Sequence, residues 1–232
     1  DDMSQAIEEA LKQYFGFNSF RPKQREIVDA ILNKQDTLAI LPTGSGKSLC
    51  YQLPALLLPG LTLVVSPLIA LMQDQVHHLT QAGIKAAFLN SSLSFSEQTD
   101  ILHSLDSIKL LYVAPERLAN DGFMAVLDRA NISLIVVDEA HCISQWGHAF
   151  RPDYRMLSGL KSRFNNVQMA AFTATATGDV KRDICDQLAF QTPFIAQSSF
   201  NRENLEIRIT EKHDQYSQLD AFLTRQQEKG HI

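Results

Sequence analysis

Residues 41–48 read LPTGSGKS, a glycine-bearing run that ends in lysine and serine and follows the apolar stretch TLAIL. The common phosphate-binding loop reads G-x-x-x-x-G-K-[ST]. Here Leu41 takes the first glycine position, while Gly46, Lys47 and Ser48 fit. Gly44 and Gly46 let the backbone turn its amides inward, and a helix opening beside Ser48 adds the positive potential of its N-terminus. Thr43, Gly44, Ser45 and Gly46 would then cradle phosphates, with Lys47 neutralising the outer ones and Ser48 holding Mg²⁺. The plainer alternative is a glycine turn between a strand and a helix.

A second chemical element is VVDEAH at 136–141. Two carboxylates at the end of a buried strand are costly unless a cation or substrate lies nearby. Asp138 can reach a Mg²⁺ shell, and Glu139 can orient and deprotonate an attacking water. Alone, Asp-Glu after a strand reads as a solvated turn or helix cap. Downstream of a phosphate loop, it reads as the catalytic part of a magnesium-dependent nucleotide hydrolase.

The run SQWGHAFRPDYR combines Trp146, Phe150 and Tyr154 with His148, Arg151 and Arg155, which suits a platform that stacks bases and pairs with phosphates. It equally suits a hydrophobic cluster under a loop. SPLIAL and APERL could present amides, hydroxyls and Arg117 to a nucleic-acid backbone, or simply cap helices with Ser66, Pro67 and Pro115. Thr173 and Thr175 in TATAT are ordinary β-branched residues unless a site gathers them. His77, His78, His103, His213 and His231 show no ligand spacing with carboxylates or cysteines.

These residues need a scaffold, and the sequence supplies one. TLAIL, LTLVVS, AAFLN, IKLLYVA, SLIVVD, VQMAAFTA and FIAQSS are strand candidates that alternate with amphipathic segments. The pattern implies crossovers and a mostly parallel sheet. The runs are apolar on both faces, as strands covered by helices on both sides require. The expected fold is therefore a three-layer α/β/α domain. Its ligands should gather at the carboxyl ends of the strands, where TGSGKS, SPLIAL, APERL, DEAH and TATAT all fall. Ala6, Ile7, Ala10, Leu11 and Tyr14 predict a helix ahead of the sheet, FGFNSFRPKQ a loop, and residues 24–32 a second helix. Beyond Ser199, LEIRIT reads as a strand, and Tyr216, Leu219, Phe222 and Leu223 share a helix face. The organisation expected is one lobe over 1–200, then a linker and the start of a second lobe over 201–232.

A chain of 232 residues with 45% hydrophobic content can bury a large core. The net charge of -5 leaves any nucleic-acid contact to a local patch. Cys50, Cys142 and Cys185 are widely separated and suggest neither a disulfide framework nor a zinc site. The longest apolar stretch, LPALLLPGLTLVV, is interrupted by Pro59 and Gly60 and is too short to span a bilayer. With no signal pattern at the start, a cytoplasmic, intracellular protein without membrane contact is expected.

The motifs resemble those of superfamily 2 helicases, which tolerate a non-glycine residue where Leu41 stands and often read T-G-x-G-K-[ST]. DEAHCISQWGHAFRPDY at 138–154 is similar to the RecQ family of DNA helicases, bacterial members above all. FRPKQ, SPLIALMQDQV, YVAPERL and FTATAT extend that resemblance, in the family's order, over roughly residues 14–204. It implies a RecA-like P-loop NTPase lobe that uses ATP and Mg²⁺. It also implies that Gln24 recognises the adenine edge, with Phe17 and Arg21 packing on the base. The chemistry agrees: glutamine offers a donor and an acceptor together, and a ring and a guanidinium both stack on a base. In the family, the aromatic run carrying Trp146, His148, Phe150 and Arg151 senses single-stranded DNA. Thr173 and Thr175 would link the ATP and DNA sites. Ala149 stands where relatives often carry an acid, which bears on the strength of that coupling.

RecQ-like helicases use two RecA-like lobes, the second supplying an arginine finger. SFNREN resembles the link into that second lobe, with Glu203 in place of a usual proline. The resemblance therefore implies half of a motor that moves 3′ to 5′ along single-stranded and partly duplex DNA, in repair and recombination. Isolated from the second lobe, it is expected to be deficient in unwinding. A DEAH-type RNA helicase or a nucleotide-gated binding module are the other readings of the same motifs.

Overall fold

The computed structural model describes residues 1–44 and 46–198. Ser45, the LEIRIT strand, the helix face of Tyr216 to Leu223 and the whole of 201–232 lie outside the described residues.

In chain order the elements are α1 (Asp2–Phe15), α2 (Gln24–Leu32), β1 (Thr37–Ile40), α3 (Lys47–Leu57), β2 (Leu61–Val65), α4 (Ile69–Gln81), β3 (Ala86–Leu89) and α5 (Phe95–Leu102). There follow β4 (Leu110–Val113), α6 (Asp121–Arg129), β5 (Ile132–Val137), α7 (Leu160–Arg163), β6 (Gln168–Thr173), α8 (Gly178–Gln187) and β7 (Phe194–Gln197). Each of the seven expected strands forms, in the order β3-β4-β2-β5-β6-β1-β7. Every pairing is parallel.

Period-two alternation divides the strands' apolar residues between two cores, one on each face of the sheet. Leu38, Ile40, Leu63, Val65, Ile135 and Val137 belong to one. Ala39, Val64, Leu134, Val136, Ala170 and Phe172 belong to the other. β1, β2, β4 and β6 are buried along their whole length, whereas the edge strands β3 and β7 are partly open. A third, smaller cluster joins Ile7, Ala10 and Leu11 of α1 to Val28 of α2 and to Leu49 and Leu53 of α3. α1 is capped at its start by the Asp1 carboxylate, which accepts from Ser4 N, and stops at Gly16 in the left-handed region. Among the described residues no helix is long and apolar enough to cross a membrane.

Candidate nucleotide-binding site

The loop after β1 shows why its first position need not be glycine. Leu41 is buried at 1% exposure, packed in the core with Val64, Val136 and Phe172, and its N–H bonds Thr173 O at 3.0 Å. The left-handed turns fall later, at Gly44 (φ 86°) and Gly46 (φ 79°). Gly46 caps α3, so Lys47 and Ser48 open that helix and share its N-terminal potential.

Lys47 Nζ lies 3.0 Å from Asp138 Oδ1 and 3.9 Å from Glu139 Oε2. Burial works to lower the lysine's pKa, but the two carboxylates outweigh it, and the net shift is upward. Glu139 is shifted upward too, first by burial and then by Asp138, against the pull of Lys47. That makes it a better proton acceptor than a solvated glutamate. Asp138 is fixed on three sides. Its N–H bonds Val65 O at 2.9 Å, its Oδ1 accepts from Glu139 N at 3.0 Å, and its carbonyl accepts from Tyr154 Oη at 2.7 Å. Glu139 holds φ 53°, a left-handed conformation that costs a non-glycine residue energy and concentrates at functional sites.

His141 Nδ1 lies 2.7 Å from Thr173 Oγ1, whose hydroxyl donates to Thr175 O at 3.0 Å. The threonine's only proton is thus engaged, so the histidine carries its proton on Nδ1 and donates it. Burial, then His148 and Lys47, push the His141 pKa down to about 4, so the ring is neutral near pH 7. Its 3.8 Å approach to Glu139 is therefore not an ion pair.

The Ser48 hydroxyl and the Asp138 carboxylate are hard oxygen donors, and the cation already present between Asp138 and Glu139 is the Lys47 ammonium. Such a donor set suits Mg²⁺. No cluster of three or more His, Cys, Asp or Glu among the described residues could hold a metal. A hard cation here would complete its shell with water and phosphate oxygens.

FRPKQ clamps the glycine loop. Gln24, 2% exposed, accepts from Arg21 N at 2.8 Å and donates to Gly46 O at 3.0 Å. Arg21 Nη1 donates to Gly44 O at 2.7 Å. Phe17 is exposed. Thr43 is exposed at the loop's tip, and Ser45 lies outside the described residues.

The aromatic run separates into two roles. Trp146 is 73% exposed, and His148 is exposed with its ring nearly parallel to that of His141, centroids 6.3 Å apart. Phe150 is half-buried with the Arg155 guanidinium 5.3 Å from its centroid, and Arg151 pairs with Asp153 at 3.3 Å. Tyr154 departs from the expected platform. Its ring is fully buried beneath the loop and holds Asp138 by the backbone, so it cannot stack on a base. Arg117 has a buried Nε with no partner, makes no salt bridge among the described residues and sits 5.2 Å from the Phe123 centroid. Burial lowers its pKa, against the influence of Glu116. The sequence reading missed His141 and the anchoring role of Tyr154. The only sign of the former was its place inside VVDEAH. A cleft of about 910 Å³ lies at the opposite end of the strands among Asp36, Ile132, Lys161 and Gln168, away from all these groups.

A family model described as DEAD/DEAH box helicase matches residues 21–184. The chain is 46% identical over 232 residues to ATP-dependent DNA helicase RecQ of Pasteurella multocida, covering 99% of this chain and 37% of that protein. It is 42% identical to ATP-dependent DNA helicase RecQ of Bacillus subtilis, over 96% of this chain and 38% of that one. It therefore spans little more than a third of these relatives' length. In fold it is similar to a hypothetical ATP-dependent RNA helicase from Sulfolobus tokodaii, with TM-score 0.67, 22% identity, and 87% of this chain and 59% of that chain covered. The RecA-like lobe expected from the sequence is thus the observed one, and the chain belongs to the DEAD/DEAH box helicase family, its relatives there being RecQ proteins.

Proposed function

We propose that this chain is the nucleotide-binding motor lobe of an ATP-dependent, 3′-to-5′ DNA helicase of the RecQ type, acting in repair and recombination. The observation that carries the reading is the meeting of Lys47, Asp138 and Glu139 within one salt-bridged group beside the glycine loop. In this reading Lys47 and the loop amides bind the ATP phosphates, exchanging carboxylate partners for phosphate oxygens. Ser48 and Asp138 would hold Mg²⁺, which offsets phosphate charge. Glu139, with its raised basicity, accepts the proton of the attacking water. Gln24 reads the adenine edge between Phe17 and Arg21, in place of its present bond to Gly46.

Single-stranded DNA would lie over the carboxyl ends of the strands, stacking on Trp146, with His148, Phe150 and Arg151 beside it. The exposed indole supports this, as does Arg117, whose Nε is buried without a partner and which makes no salt bridge among the described residues. Thr173 and Thr175 would carry the state of this surface to the ATP site through His141. A second RecA-like lobe would supply the other wall of the cleft and the arginine finger, consistent with relatives nearly three times as long. The free cysteines Cys50, Cys142 and Cys185 agree with a reducing, cytoplasmic setting.

The test is nucleotide binding and ATP turnover by this chain with Mg²⁺ alone, with single-stranded DNA and with single-stranded RNA. Mg²⁺-dependent binding with negligible turnover is expected. Absence of binding sinks the proposal, and stronger stimulation by RNA than by DNA replaces the RecQ reading with an RNA helicase.

A further inference from the structure

Five polar side chains run from the phosphate loop into the protein. Gln75 Nε2 on α4 donates to Ser48 Oγ at 3.2 Å. Gln52 Nε2 on α3 donates to Gln75 Oε1 at 2.6 Å and to Tyr112 Oη at 2.9 Å. Tyr112 Oη then meets Tyr51 Oη at 3.2 Å. Gln52, Tyr112 and Tyr51 are buried, and burial pushes both phenols upward, so both remain neutral hydroxyls.

With the Gln52 amide nitrogen facing both of its partners, the chain has a direction. Gln52 spends both amide protons, one on Gln75 and one on Tyr112. Gln75 must therefore turn its oxygen to Gln52 and its NH₂ to Ser48, since the flipped amide would set N–H against N–H. Ser48 thus receives a hydrogen bond from Gln75, while its own proton is turned to the Tyr51 hydroxyl, and the remaining lone pair is left for a cation. A reversed Gln75 would instead draw the serine proton toward itself. The network ends on the hydroxyl next to Lys47 rather than on a backbone group. The helix that carries Gln75, α4, follows directly on the loop in which Ser66 Oγ accepts from Leu68 N at 3.2 Å. Two residues before Gln75, Gln73 Nε2 donates to Ser92 Oγ at 3.2 Å.

We propose that Gln75, held by Gln52, is a positioning residue that orients the Ser48 hydroxyl toward a bound cation and transmits the occupancy of that site to α4. The proposal rests on the Mg²⁺-nucleotide reading of Ser48. It makes α4 a link between the nucleotide and the Ser66 loop, which requires no contact between the two.

The test uses the full 232-residue chain, fluorescent N-methylanthraniloyl-ADP titrated with Mg²⁺, and hydrogen exchange of residues 69–81 with and without the Mg²⁺-nucleotide. Gln75→Met keeps the length of the side chain and removes both polar ends. It should need about tenfold more Mg²⁺ for half-maximal tightening, the upper range for one hydrogen bond, with affinity in EDTA within twofold of wild type. The nucleotide-linked protection of α4 should disappear. Gln52→Met, which frees Gln75 without touching Ser48, should give the same changes in smaller measure. An unaltered Mg²⁺ midpoint with α4 protection intact overturns the proposal. Equal loss of affinity with and without Mg²⁺ also overturns it, since that marks a structural side chain. If wild type shows no Mg²⁺-dependent binding, the nucleotide reading fails and takes this one with it; the other two outcomes leave that reading standing.

Discussion

Tyr154 donates its hydroxyl to the carbonyl of Asp138 across 2.7 Å, while Trp146, earlier in the same run, holds its ring in solvent. One short segment therefore anchors Asp138 by its backbone and offers an aromatic face outward. The two can be separated by mutation. Trp146→Ala should change stability by no more than about 0.5 kcal/mol and weaken single-stranded DNA binding at least fivefold. Tyr154→Phe should lower stability by about 1 kcal/mol by orphaning that carbonyl. Thermal melts and DNA fluorescence anisotropy on both variants check the division, and a reversed pattern defeats it.

Lys47→Ala removes the cation between two carboxylates. Affinity for Mg²⁺-ATP should fall at least tenfold by calorimetry. Because Lys47 pulls the Glu139 pKa down, its loss should send that pKa further up, as a carbon-detected NMR titration of Glu139 would read. A group raised in the folded state costs stability once ionised. The variant should therefore lose ground to wild type as pH rises above the ordinary glutamate value of 4.5.

Gly46→Ala meets two obstacles at once. Position 46 sits at φ 79°, and an added Cβ would collide with Gln24 Nε2. The substitution should cost about 1–3 kcal/mol and abolish nucleotide binding together. Gly44→Ala has open space at its Cβ and pays only for its φ of 86°. It should destabilise less, and denaturant melts of the two variants give the comparison.

His141 is neutral when folded, with a pKa near 4, against an ordinary value of 6.5. Below pH 6.5 the unfolded chain takes up a proton that the folded chain refuses. Its contribution is therefore complete above pH 6.5 and is lost as pH falls toward 4. His141→Gln should flatten the stability profile between pH 6.5 and 5, measured as urea midpoints for the two proteins in parallel. Superimposable slopes would contradict the shift.

The seven strands were legible because parallel strands covered on both faces must be continuous apolar runs, as TLAI and LLYV are. Their carboxyl ends then placed Lys47, Asp138 and Thr173 on one edge without reference to side-chain geometry. Trp146 and Tyr154 carry the same compositional signal in SQWGHAFRPDY, and only packing decides which ring turns inward. The clamp of Arg21 and Gln24 on Gly44 and Gly46 was likewise hidden, since it joins segments distant in sequence through backbone carbonyls that every residue has. Leu41 answers to the core rather than to the phosphate loop, which a motif written as a string does not distinguish.

β1 is laid between strands that the ribosome delivers much later: Thr37 pairs with Ala170 on one side and Phe194 on the other. Until β6 and β7 emerge, both edges of β1 are open, and the loop beyond it has no Thr173 carbonyl to anchor Leu41. The phosphate loop, encoded among the first fifty residues, is thus among the last parts of the sheet to be assembled during synthesis. The nascent chain must keep an apolar strand unpaired across that interval, a topology associated with slow folding and a need for protection from aggregation.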